Sequence, residues 1–285
     1  MNIILLVTVC QQNKVRIQNQ IANIQSAKIP EGINIKPIFV VGKNNIQLDL
    51  QIPYNILQVD VEEKYLLLYK KLFESFRIIN NNHDFDFILK IDDDTILNFE
   101  RLNPLWLREK DYIGKMAKGQ SKFRISFDFD FYDVHKVINL VPPIFENDYF
   151  FATGDCYFLS KKAIEFILKD EQTIQSVNGL RVCEDRLFGY ILQKSDIVLE
   201  DIIFNNEMIH YNGLQTSKDL FSIHPIHENL FQFLIGKTPE EQLQIICQNP
   251  LLTIVRRKTY IKDLENKLIE TIYNFMNSKK SIGLG

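Results

Sequence analysis

Three consecutive carboxylates, Asp92, Asp93 and Asp94, close an apolar run in the segment FILKIDDD, Phe87 to Asp94. Like charges at one strand end repel each other, and an Asp triplet in a hydrophobic context is tolerable only if it is solvated or shared with a metal ion or a cationic partner. Carboxylates one residue apart suit a hard divalent cation, Mn2+ or Mg2+, that keeps positions open for a diphosphate. An acidic strand-to-turn end would look the same in isolation, so the triplet needs support from the rest of the chain. A second acidic pair, Glu184 and Asp185, has two readings of its own: a general base with its neighbour, or an ordinary first turn that complements a helix dipole.

The elements that must position these groups follow from the hydrophobic period. Asn2 to Val9 is apolar and β-branched, and Val15, Ile17, Ile21 and Ile24 follow at mostly helical spacing, so the chain opens strand then helix. Ile33 to Val41 and Asn55 to Val59 read as the next strands. Val61 to Asn80 carries Leu68, Leu72, Phe76 and Ile79 along one helical face, and Phe85 to Ile91 is the fourth strand. This alternation predicts an α/β fold with a mainly parallel, mixed sheet flanked by helices, in which ligands gather at the carboxyl ends of the strands. Asp92 to Asp94 stand at such an end. Farther on, Val141 to Phe151 reads as loop or edge strand and Tyr157 to Leu159 as a brief strand. Ser160 caps a helix through Leu168, and Glu184 to Gln193 starts another. Beyond Pro239, Ile261, Leu264, Leu268 and Ile272 trace an apolar stripe. Residues 1–235 therefore read as one domain and 236–285 as a helical C-terminal extension, with 250–279 available for packing back on the domain, a homodimer contact or a peripheral membrane contact.

A net charge of -3 without a strongly basic stripe outside the C-terminal region gives no reason to expect nucleic acid as a partner. Cys10, Cys156, Cys183 and Cys247 are widely spaced, make no metal-type pair and suggest small buried side chains. The opening MNIILLVTVC has no positive charge before its apolar run, which is too short to cross a bilayer, so it reads as a core strand. A full-length product of this kind is expected in the cytoplasm.

Four further segments carry a family resemblance: YNILQVDVEEKYLLLYKKL from Tyr54, VPPIFENDYFFATGDCYFLS from Val141, CEDRLFGYIL from Cys183 and FSIHPIHENL from Phe221. With the Asp triplet, their order and spacing resemble the β-1,3-glycosyltransferases of glycosyltransferase family 31, over roughly residues 1 to 235. The resemblance implies a GT-A type single nucleotide-binding domain, a UDP-sugar donor, Mn2+ (or Mg2+) and a glycan or glycoprotein acceptor. It implies the Golgi lumen if an anchor has been trimmed away. Lys90, Asp92, Asp93 and Asp94 match the family's metal motif, with Asp92 and Asp94 toward the ribose and the ion and Asp94 preferred as direct ligand. Asp60, Tyr65 and Lys71 match its helix motif. Pro142, Pro143, Gly154, Tyr157, Leu159 and Ser160 match its proline-glycine block, Glu184, Asp185 and Gly189 its carboxylate motif, and His224 and Pro225 its closing segment. Departures are Leu67, Leu68 and Tyr69 in the helix motif, Cys156 in the block and Arg186 after the carboxylate pair; they bear on the sugars recognised more than on the chemistry.

Sugar transfer from a nucleotide diphosphate needs charge neutralisation on the departing diphosphate and removal of a proton from the attacking hydroxyl. Asp94, Asp92 and His224 are the expected metal ligands, with His227 the alternative imidazole. Asp185 is the expected base, opposite the leaving group, and Glu184 orients an acceptor or holds the helix start. Asp92, Asp93, Lys71, Lys90, Glu184 and Gly154 are the expected nucleotide-side residues. Tyr149, Phe150 and Phe151 read equally as a stacking wall for a sugar ring or as core. An Asp-nucleophile phosphatase also sets acidic residues after a strand, but Thr95 directly follows Asp94, the wrong offset. A catalytically inactive sugar-nucleotide or glycan-binding protein, or a chaperone, of the same fold is the non-enzymatic alternative.

Overall fold

Six of the seven residues of β1 (Asn2–Thr8) are buried, as a strand covered by helices on both faces requires. The computed structural model describes residues 1–9, 14–43, 53–64, 67–119, 125–126, 139–140, 148–178, 182–201, 209–211, 220–223, 234–238 and 241–242. In chain order β1 is followed by α1 (Lys14–Gln25), β2 (Asn34–Val41), β3 (Asn55–Gln58), α2 (Leu68–Asn82), β4 (Phe87–Asp92) and β5 (Ile96–Leu97). A 3-10 turn (Phe99–Arg101), α3 (Pro104–Leu107), β6 (Tyr112–Gly119), β7 (Ile125–Ser126), β8 (Asn139–Leu140) and β9 (Tyr149–Ser160) come next. The described part closes with α4 (Lys161–Lys169), α5 (Glu171–Ser176), α6 (Glu184–Leu192), β10 (Leu199–Asp201), β11 (Ile209–Tyr211) and β12 (Leu220–Ile223).

Seven strands form one mixed sheet in the order β10-β6-β9-β4-β1-β2-β3. β1 runs parallel to β2 and β4, β2 to β3, and β10 to β6, while β9 runs antiparallel between β4 and β6. The period of two along each strand divides the core. Ile4, Leu6 and Ile88 face α2, α4 and α6, where they meet Leu72, Phe76, Ile164, Leu187 and Phe188. Ile3, Leu5, Val7, Leu89 and Ile91 face Ile17 of α1 and Leu107. The Phe76 and Phe188 rings lie 5.4 Å apart and tie α2 to α6. A small sheet pairs β12 with β5, setting Ile223 against Ile96 just beyond the Asp triplet.

The fold agrees with the α/β expectation and differs in two places. β9 is a twelve-residue strand in the middle of the sheet, where the sequence reading has a loop or edge strand and then a brief strand. Gly154 and Asp155 interrupt the apolar pattern, and pairing on both sides with β4 and β6 supplies the stability that local propensity lacks. α2 starts at Leu68 instead of Val61. Residues 61–64 turn instead, with the Gly42 N–H donating to the Glu63 carboxylate at 2.5 Å and the Lys64 N–H to the Glu62 carbonyl at 2.9 Å. Ser160 caps α4 as expected, accepting from the Ala163 N–H at 3.1 Å. No helix among the described residues is long and apolar enough to cross a membrane. The expected C-terminal helix, with residues 250–279, lies outside the described residues.

Candidate active site

The alternation that divides the core also divides the acidic triplet. Lys90 and Asp92 continue the face of Ile88 toward α6, and Asp93 is carried toward α1. Asp92 ends β4 opposite Thr8, the last residue of β1. Its Oδ1 accepts from the Lys90 ammonium at 2.6 Å and lies 3.0 Å from the Thr8 hydroxyl. The Asp92 side chain keeps 32% of its surface open, which leaves it the accessible member of the three. Asp93 and Asp94 are buried, and both face Arg16 in the first turns of α1, at 3.0 and 3.4 Å from Nη1. Burial pushes the Asp93 carboxyl up to about 6, with the Asp94 charge adding to the push and Arg16 opposing it. The turn itself is tied down from two sides: the Gln20 amide donates to the Thr95 carbonyl at 2.6 Å, and the Thr95 hydroxyl donates to the Asp155 carbonyl at 3.1 Å.

The second acidic pair opens α6. Glu184 is buried and lies 3.2 Å from the Lys90 ammonium. Asp185 is half-buried; its Oδ2 accepts from the Gly154 N–H at 3.0 Å and its Oδ1 from the Arg186 N–H at 2.7 Å. Burial, then the adjacent Glu184 charge, raises the Asp185 carboxyl to about 7, while the Arg186 N–H and guanidinium pull it down. Glu184 is raised by burial against the opposing Lys90 charge. Lys90 has no exposed side-chain surface, and it also donates to the Gly154 carbonyl. Burial pulls its pKa down, but Asp92 and Glu184 outweigh that and hold it well above the usual value. One ammonium thus links the end of β4, the middle of β9 and the start of α6.

Glycines permit this approach. A Cβ on Gly154 would meet the Glu184 carboxylate at 2.7 Å, and one on Gly189 would meet the Phe151 Cβ at 2.4 Å, so α6 packs on β9 only because both are glycine. Of the expected aromatic wall, Tyr149 and Phe151 are core and only Phe150 is open; strand alternation turns neighbours to opposite faces.

Lys71 is enclosed near the carboxyl end of β1, donating to the Val9 carbonyl at 3.1 Å and pairing with Glu63 at 2.5 Å. Asp60 is exposed and pairs with Lys43 at 3.0 Å. Tyr65, Pro142, Pro143, His224, Pro225 and His227 lie outside the described residues, β12 ending one residue before His224. Arg16, Thr8 and Gln20 are site residues that the sequence reading missed. Arg16 had a signal: a cation in a helix's first turns opposes the dipole and calls for an acidic partner.

The family model described as Galactosyltransferase matches residues 22–202, more than half of the chain. The chain belongs to that family. This is the domain of glycosyltransferase family 31, and the galactosyltransferase match covers Asp92 to Asp94, Gly154, Glu184 and Asp185 but ends before His224. No curated protein matches the chain significantly. The galactosyltransferase domain makes this chain a glycosyltransferase by family, binding a sugar donor and an acceptor.

Among the described residues no group of three or more His, Cys, Asp or Glu side chains converges as around a metal ion. The donor set at the β4 end nonetheless suits a hard cation. Asp92, Asp93, Asp94, Glu184 and Asp185 supply carboxylate oxygens, the ligand type a hard cation takes, while the raised Asp93 and Asp185 owe their shifts first to burial and only second to a neighbouring carboxylate.

Proposed function

We propose that this galactosyltransferase-family domain is an inverting, metal-dependent transferase that moves a hexose or N-acetylhexosamine from a UDP-sugar to a glycan hydroxyl in β-1,3 linkage. The observation that carries the reading is the Asp185 carboxyl, raised to about 7 and joined through Gly154 and Lys90 to the acidic end of β4. A base whose pKa lies near the working pH removes a proton best as the nucleophile's oxygen attacks. Asp185 takes the proton of the acceptor hydroxyl while that oxygen bonds to the anomeric carbon from the face opposite the diphosphate. The bond from the anomeric carbon to the diphosphate oxygen breaks, and its electron pair leaves with UDP.

Asp92 and Asp94, with His224 as the expected imidazole, are the residues that would hold Mn2+ or Mg2+. Such an ion supplies Lewis-acid stabilisation of the departing diphosphate. Asp92, the accessible carboxylate of the triplet, meets the donor side, while Arg16 balances Asp93 and Asp94. Glu184 holds the α6 start from which Asp185 projects. The β-1,3 linkage and the UDP group rest on the family resemblance.

The test uses a panel of UDP-sugars with Mn2+, followed by acceptor screening with the best donor. Asp94→Asn is expected to abolish both transfer and metal-dependent UDP binding. Asp185→Asn is expected to abolish transfer while UDP still binds. Turnover retained in both variants would overturn the assignment, and UDP binding without turnover by the unaltered chain would favour an inactive sugar-nucleotide-binding protein.

A further inference from the structure

Resting on the glycosyl-transfer reading above, we propose that Lys90 is a positioning residue that fixes the donor-side carboxylate Asp92 relative to the base Asp185 and touches neither substrate. Its side chain has no exposed surface. An ammonium has three N–H bonds to donate, and three acceptors from three elements surround this one: Asp92 Oδ1 of β4 at 2.6 Å, Glu184 Oε1 of α6 at 3.2 Å and the Gly154 carbonyl of β9. The Tyr157 ring lies 5.5 Å away. No donor is left over for a phosphate or a sugar.

The link to the base runs through one residue of β9. Lys90 grips the Gly154 carbonyl, and the Gly154 N–H donates to Asp185 Oδ2 at 3.0 Å. The same ammonium holds Glu184, the residue before Asp185, so the first turn of α6 is anchored both by side chain and through the strand. Asp92 and Lys90 share one face of β4, two residues apart. Any shift of the ammonium therefore moves the donor-side carboxylate and the base relative to each other. Lysine suits this place as a compact point charge; the planar fork of arginine needs more room and a flat partner.

Lys90→Met alone leaves Glu184 buried without its counter-charge and is expected to melt early. The charge-balanced pair Lys90→Met with Glu184→Gln removes that burden. It is expected to melt close to the wild type and to bind UDP within about tenfold of wild-type affinity, while kcat falls about a hundredfold, the loss expected of a misplacement of about 1 Å. Gly154→Ala keeps every charge and needs no unusual backbone, yet its Cβ would displace the Glu184 carboxylate. It is expected to lower kcat about tenfold with UDP affinity falling by a smaller factor, a smaller displacement costing less. Turnover is read as UDP release in Mn2+ from whichever of UDP-galactose, UDP-glucose and UDP-N-acetylglucosamine the wild type consumes, and UDP affinity by calorimetry. Wild-type kcat in either the double variant or Gly154→Ala would overturn the proposal, as would kcat and UDP affinity falling in parallel. A wild type that releases UDP from none of the donors would overturn the transferase reading, and the proposal with it.

Discussion

Asp185 reaches about 7 because burial and the Glu184 charge disfavour its ionised form more than Arg186 favours it. The base must be ionised to accept a proton, so kcat/KM is expected to rise with pH through about 7 and to level off above it; a pH profile with saturating Mn2+ checks this. Stability runs the other way. The ordinary carboxyl value is 3.8, so between that value and about 7 the folded chain keeps a proton that the unfolded chain has released. The contribution is fully present below 3.8 and is lost as pH rises through about 7. Asp185→Asn is therefore expected to raise the thermal midpoint at about pH 8 and much less at about pH 5, measured by calorimetry. Neither the acidic pair's environment nor Lys90's burial was legible from residue identity, since both depend on β9 approaching through Gly154.

α6 and β9 are the elements on which the base depends, and they meet at Gly189 against Phe151. Gly189→Ala places a Cβ 2.4 Å from the Phe151 Cβ, so the helix must move away. A loss of about 1–3 kcal/mol in urea unfolding is expected, with a drop in transfer activity because Glu184 and Asp185 move with the helix. Ser160→Ala removes the cap of α4, on the same face of the sheet but away from the acidic cluster. It is expected to cost about 1 kcal/mol and to leave kcat unchanged. The two variants separate packing that positions the site from packing that only stabilises. β1, β2, β4 and α1 were readable from run length and period, and α4 and α6 from their starts, the Ser160 cap and the acidic first turn at Glu184 and Asp185. β9 was read as a loop or edge strand followed by a brief strand, instead of one long central strand, because its pairing with β4 and β6 joins residues far apart in sequence, and Gly154 and Asp155 weaken its local signal.

At the scale of the whole sheet, the site carboxylates Asp92, Asp93, Asp94, Glu184 and Asp185 gather at the end where parallel strands β1 and β4 finish side by side and α6 begins. Mn2+ binding only to the folded chain is expected to raise its thermal midpoint, corresponding to about 2.7 kcal/mol at a hundredfold excess over Kd. Asp92→Asn is expected to abolish that rise, and a midpoint insensitive to Mn2+ in the unaltered chain would count against a resident ion. The alternation of strand and helix, the Asp triplet at a strand end and the order of the family motifs were determined by the sequence alone, because each is a local pattern of residue type and spacing. Tertiary structure decided that Arg16 sits on Asp93 and Asp94, that Lys90 is sealed among three elements, and that Tyr149 and Phe151 are core rather than wall. Those outcomes depend on which distant segments pack together, and burial and charge act through space, not along the chain.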